Sequence, residues 1–314
     1  MGKHNDGALF ESLKLMNESL SAVQERLYAK DADKGIPQIF IVGPPRSGKV
    51  LTNSILCHCL DIGYINNIVN RFWHAPLFGI YLSNDVLPKG RDMSFSSRYG
   101  MTPEVWGPGE YPYFWFRWFG GYDDPIPEDR IDWEGLCGLL NQMGHAFGRP
   151  IVHQSLAAFN HLRGMARRLE NTLFIRLHRN PVDNALSILK MRKDYHGDRE
   201  KWHSVRPSNY EQVKGRGWAG QIAGQLHGIR TDLDSQLAGL EVIDVAYPDV
   251  CARPGDLVDA VSQWLRHRGY PVGSLQPAPE PFTPSVYPDT EDRRRILSRL
   301  GEFFPGLEDD QGRD

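Results

Sequence analysis

Residues 43–52, GPPRSGKVLT, place Gly43, Gly48 and Lys49 at the spacing of the phosphate-loop pattern G-x-x-x-x-G-K-[ST]. Such a loop wraps backbone N–H groups around an anion, and the helix behind it adds the positive end of its dipole. Arg46 and Lys49 bring two cations to the same turn. Val50 then stands where the pattern has a hydroxyl, the group that holds Mg²⁺ in magnesium-dependent members. Asp244 cannot replace it from a strand end, because it lies inside its strand. An ATP-dependent phosphoryl transferase is thereby weakened. It stays open as an alternative, beside a non-catalytic nucleotide-binding relative.

A second strand-to-helix boundary carries RNPVDNALS, with Arg179 at the strand end and Ser187 eight residues on. A planar guanidinium and a rotatable hydroxyl suit another phosphate group. Taken alone, the pair reads as an edge arginine and a helix-packing serine. Its interest comes from the loop at 43–48.

The elements that must position these groups alternate strand and helix. Apolar, β-branched runs predict strands at 38–43, 149–156, 171–179 and 240–247. Helices are predicted from Lys49 through Leu60, over 180–192 with Asn180 as N-cap and Pro181 at its first position, and over 255–269. An apolar period near 3.6 over residues 8–30 predicts an amphipathic helix, and DADKGIP a break after it. The order predicts an α/β fold, a doubly wound, mainly parallel sheet flanked by helices. An N-terminal helical arm, 1–35, would precede one domain, 36–314. The proline-rich stretch 271–290 reads as a loop over the surface, and LEDDQGRD at the end as frayed.

Composition narrows the class. The chain has 314 residues, 40% of them hydrophobic, enough for a sizeable core. A net charge of −3 lacks the basic excess of general nucleic-acid binders. The run Arg293–Arg295 follows Glu291 and Asp292, as on a solvated helix face. No stretch is apolar enough to span a bilayer. The polar N-terminus and four cysteines fit reduced thiols in a cytoplasm. CHC at 57–59 lacks a second ligand pair and sits in a helical pattern, so burial is expected there and no metal site.

These segments resemble a family. FIVGPPRSGKVLTNSIL is similar to the 5′-phosphosulfate loop of sulfotransferases, P-x-[KR]-S-G-T-T, and LHRNPVDNALSILK to their 3′-phosphate motif. VIDVAYPDVCARPGDLVDAVSQWL resembles the later segment usually written Tyr-Glu-Asp-Leu plus a helix. The form RNPVDNALSI looks closest to the branch holding tyrosylprotein and many bacterial sulfotransferases, including those of secondary metabolism. The resemblance implies the phosphate-loop-like sulfotransferase architecture. It implies 3′-phosphoadenosine 5′-phosphosulfate (PAPS) as donor, the 3′,5′-bisphosphate (PAP) as product, and no metal. It assigns the donor to Pro45, Arg46, Ser47, Gly48, Lys49, Val50 and Leu51, with Arg179 and Ser187 on the 3′-phosphate. Tyr247 would contact the adenine end or serve as an ordinary strand aromatic. Lys49-Val50 departs from the family's Thr-Thr, and no clear G-x-x-G-x-x-[KR] segment follows near the C-terminus.

Sulfuryl transfer puts negative charge on the bridging oxygen, and Arg46 holds the family's catalytic position for stabilising it. The acceptor also loses a proton to a base. Three groups qualify: Glu110 amid WGPGEYPYFWFRWF, His74 in NRFWHAP, and His153 on RPIVHQSL. The aromatic run is expected to pack in part and in part to wall an acceptor pocket through Trp106, Tyr111, Tyr113 and Phe114. WHSVRPSNYEQV, with Trp202, His203 and Arg206, would form another side. The expected partner is a small-molecule acceptor with an apolar or aromatic part.

Overall fold

Five strands form one parallel sheet in the order β2-β3-β1-β4-β5. They are β1 (Gln38–Val42), β2 (Gly63–Tyr64), β3 (Ile151–Gln154), β4 (Thr172–His178) and β5 (Val242–Ala246). This is a computed structural model, and it describes residues 3–29, 35–88, 91–285 and 287–307. Residues 31–34 of the expected break and all but the first residue of LEDDQGRD lie outside the described residues.

The central strand explains the apolar runs. In β1, register pairs Phe40 with His153 on one side and Phe174 on the other. Alternation sends Phe40, Val42, Ile151 and Phe174 to one core. Ile39, Ile41, Val152, Leu173 and Ile175 go to the other. Both faces are therefore covered, as a parallel sheet requires. Helices Lys49–Cys59 and Pro254–His267 bury Leu56 and Val261 on the second face. Helices Trp133–Phe147 and Trp218–Leu237 bury Leu140 and Leu233 on the first. The edge strand β5 is only partly buried. Its Asp244 bonds Arg176 at 2.5 Å and His178 at 2.6 Å on β4.

The chain turns from one side of β1 to the other after β3. Parallel sheets bind ligands at the carboxyl ends of their strands beside such a switch. The loops after β1 and β4 leave from there. Asn180 caps the second helix, Pro181–His196, by accepting from Val182 N at 2.8 Å and Asp183 N at 3.3 Å.

Several expectations need correction. The two-residue β2 is too short to show a period. The N-terminal helix is two, Lys3–Ser19 and Ser21–Arg26. Buried Asn17 ties the first to the sheet domain: its amide donates to Arg71 O at 2.9 Å, and its Oδ1 accepts from His74 N at 2.9 Å. Stretch 271–290 is irregular and, in its described residues, mostly exposed over the surface as expected, and backbone bonds fasten it as a strap. Leu275 N donates to Cys59 O and Phe282 N to Cys251 O, both at 2.8 Å. In the arginine run, Arg294 and Arg295 are exposed and ion-paired, whereas Arg293 is buried. All four cysteines are free and buried. Among the described residues no helix is long and apolar enough to cross a membrane.

Leu56 has no exposed surface on the helix that carries the phosphate loop. Leu56→Ala is expected to lower unfolding free energy by about 2–5 kcal/mol, measured by urea denaturation.

Candidate functional site

The loop between β1 and the helix Lys49–Cys59 contains three residues of positive φ, Gly43 (152°), Arg46 (64°) and Gly48 (103°), the last two left-handed. A Cβ on Gly48 would lie 2.4 Å from the Tyr247 ring, so that ring rests directly on the loop. Four of the loop's carbonyls, from Gly43 to Arg46, are taken by side chains. Lys49 Nζ donates to Gly43 O (3.2 Å) and Pro44 O (2.8 Å). Asn184 Nδ2 donates to Pro45 O (2.6 Å), and Arg179 Nη1 to Arg46 O (2.7 Å). Ser47 Oγ is buried with no protein partner. The first-turn amides of the following helix have no intrahelical acceptor.

A cleft of about 530 Å³ opens above this loop. Arg46 and Arg179 enter it, their guanidinium groups set over the Tyr99 ring (5.5 Å) and the Tyr247 ring (4.7 Å). Arg46 Nε also donates to Ser187 Oγ at 3.2 Å. Glu110 lines the same cleft. Burial raises its carboxyl above the ordinary range, while Lys49 and Arg46 pull it back down. Burial pushes Lys49 down to about 8, with Glu110 opposing. Burial also lowers Arg46 from a value high enough to leave it charged. The result is a buried carboxyl group under the electrostatic influence of Lys49 and Arg46 at the foot of the loop.

The cleft gathers Pro45, Arg46, Gly48, Lys49, Val50, Leu51, Glu110, Arg179, Ser187 and Tyr247 from the residues singled out in the sequence. Other expected residues lie elsewhere. His153 is buried in the sheet, its Nε2 2.8 Å from Gln38 Oε1 and its ring stacked on Phe40. His74 sits beyond the cleft against Trp73, lowered by burial and by Arg117. The aromatic run folds as a helix, Pro112–Phe119, whose Phe114 is wholly buried. Tyr111 is buried too, and its hydroxyl donates to Phe72 O at 2.7 Å. Tyr113 packs outward on Phe10 and Trp73. Trp106 donates to Asp92 O at 3.0 Å, and Trp202 to Ser204 O at 3.2 Å. None of these rings lines the cleft; the run is mainly core, because a ring-rich helix gains most by burying its area.

The walls come instead from Tyr99, Leu156, Met191, Tyr195, His203, Ser204, Phe282 and Tyr287, among others. Met191 and Tyr195 follow Ser187 at four-residue steps along one helix face, a spacing that makes them legible. His203 is itself one of the residues expected to form a side of the pocket, and it lines the cleft. Phe282 and Tyr287 come from the strap, where no periodic pattern marks them.

Residues 37–268 match the family described as "Sulfotransferase family". The crystal structure of sulfotransferase STF9 from Mycobacterium avium superposes with a TM-score of 0.51 at 12% identity, over 91% of this chain and 72% of that one. Sulfotransferase STF1 from Mycobacterium tuberculosis H37Rv gives 0.47 at 14% identity, over 90% and 78%. A sulfotransferase from Alicyclobacillus acidocaldarius gives 0.41 at 16%, over 85% and 94%. No curated protein matches the sequence.

His153 provides a check on this geometry. Burial depresses it from 6.5 to about 3, so between those values the unfolded chain holds the extra proton. Stability is then lost as pH falls from about 6.5 toward 3. His153→Gln is expected to remove up to about 1.4 kcal/mol per pH unit from that acid-side slope, measured by urea unfolding at several pH values.

Proposed function

Because this chain belongs to the sulfotransferase family, we propose that it moves a sulfuryl group from PAPS to a hydroxyl or amine of a small molecule, by metal-independent in-line transfer. The observation that carries the reading is the meeting of Arg46, Arg179, Ser187 and Tyr247 with Glu110 in one cleft over the phosphate loop. The partnerless Ser47 Oγ and the free first-turn amides suit the donor's 5′-phosphate.

The donor supplies an activated sulfuryl group; the chain's own residues do the rest. Arg179 and Ser187 hold the 3′-phosphate, with Tyr247 at the adenine end. Arg46 meets the charge that grows on the bridging oxygen as the sulfur–oxygen bond to the 5′-phosphate breaks and the acceptor's bond to sulfur forms. Glu110 takes the acceptor's proton. Its two cationic neighbours favour the ionised form a base needs. Lys49, standing where the family has threonine, keeps the loop's shape through its two carbonyl bonds. Four free, buried thiols support a reducing, cytoplasmic setting.

PAP is expected to raise the melting temperature without magnesium, and more than 5′-AMP does. Arg179→Ala should erase that difference, with a loss of about 1.5–3 kcal/mol in PAP binding by calorimetry. Arg46→Ala should still bind PAP yet lower kcat by about 10²–10³-fold. Stabilisation by Mg-ATP in place of PAP would overturn the donor assignment.

Glu110 acts as a base in its ionised form, so activity should fall as pH drops through its raised value. Glu110→Gln is expected to cut kcat by about 10²–10⁴-fold and abolish that acid limb, read from initial rates across pH. An unchanged limb would remove Glu110 from the role.

A further inference from the structure

The segment 202–206 has no regular structure, yet it is held from behind by a buried polar chain. Gln225 is fully buried, and its Nε2 donates to both His203 O (2.9 Å) and Val205 O (3.0 Å). Arg192, also fully buried, donates to Gln225 Oε1 at 3.4 Å and to Gln221 Oε1 at 2.8 Å. One amide thus grips two carbonyls that flank Ser204, and Trp202 Nε1 grips Ser204 O at 3.2 Å. Between them Ser204 takes a left-handed backbone, φ 74°, which a non-glycine residue adopts only under strain. Such strain persists only where the surroundings over-determine it.

The strained turn brings His203 and Ser204 to the cleft together. Ser204 Oγ is buried and has no hydrogen-bond partner. His203 Nδ1 is occupied by His196 Nε2 at 2.9 Å, which leaves Nε2 for a ligand. Burial holds this imidazole down to about 4, so it stays neutral at physiological pH. Leu156 and Met191 line the same cleft with apolar surface. The cations Arg46, Lys49 and Arg179 are carried by the loops after β1 and β4 and the helix start behind the first, with Arg46 near enough to act on His203.

We propose that His203 and Ser204 form the acceptor-positioning wall of the cleft, where an uncharged acceptor with an apolar body anchors a polar group by hydrogen bonds. The assignment rests on the sulfuryl-transfer reading and adds the class of acceptor. Neither residue carries out the transfer; both orient the molecule that receives the sulfuryl group.

The test uses the full chain, PAPS as donor, and 2-naphthol against its carboxylated analogue 6-hydroxy-2-naphthoate as acceptor probes. Wild type should use 2-naphthol with the lower KM. His203→Gln and Ser204→Ala should each raise that KM by about tenfold, the worth of one buried hydrogen bond. Their kcat should move much less, and PAP affinity by calorimetry should stay as in wild type. Ser204→Ala keeps the backbone residue type close to native, so it guards against a folding failure in the other variant. An unmoved KM, a parallel loss of PAP affinity, preference for the carboxylate, or no transfer to either naphthol while PAP binds would each overturn the wall. Failure of the wild type to bind PAP would overturn the donor reading instead.

Discussion

The site depends on how four consecutive carbonyls are disposed. From Gly43 to Arg46, each is claimed by a side-chain donor: Lys49 takes two, Asn184 one and Arg179 one. The two peptide groups that Lys49 holds run into Pro44 and Pro45 and carry no N–H, and Ser47 N donates to Pro44 O at 3.3 Å, so of these four groups only the one that Asn184 holds keeps an uncommitted amide, Arg46 N. The shape of the loop is thus held by what stands behind it. Two of the three donors come from the second strand-helix unit, so the loop's shape is a tertiary property. The left-handed residues Arg46 and Gly48 let the backbone turn in this way, and the Tyr247 ring closes the space a Cβ at 48 would need.

The sheet makes that arrangement possible. β1 lies between β3 and β4, so the loops after β1 and β4 begin side by side. Burial on both faces gives these strands little freedom to shift register. Arg179, at the end of β4, therefore reaches Arg46 O at a fixed height above the sheet. Arg46 in turn contacts Ser187, two turns into the next helix. Strand pairing, helix capping at Asn180 and the electrostatics of the cleft form one connected chain of cause.

Much of this was legible locally. Strand, loop and helix around residues 38–60 each carry their own pattern, and so do Arg179, Asn180 and Ser187. The walls of the cleft were less legible, for a physical reason. Ring density at 106–119 reports how much area needs burying, not which neighbour buries it; Phe114 went to the core while Tyr113 stayed at the surface. A histidine's position in sequence likewise says nothing of depth: His153 alternates into the core beside Phe40, and His203 reaches the cleft. Phe282 owes its place to a backbone bond from the irregular strap to Cys251, and Tyr287 lies further along that strap. Glu110 was marked by its aromatic surroundings, but its electrostatic coupling to Lys49 and Arg46 spans some sixty residues of chain.

The strap bears on the order of assembly. The last strand of the sheet ends at Ala246, whereas Phe282 and Tyr287 join the cleft wall only later in the sequence. A chain emerging from the ribosome therefore makes all five strands, the phosphate loop and Arg179 before it makes the residues that close the cleft above them. Synthesis passes through a stage in which the loop after β1 is made and part of the cleft's lining is still missing.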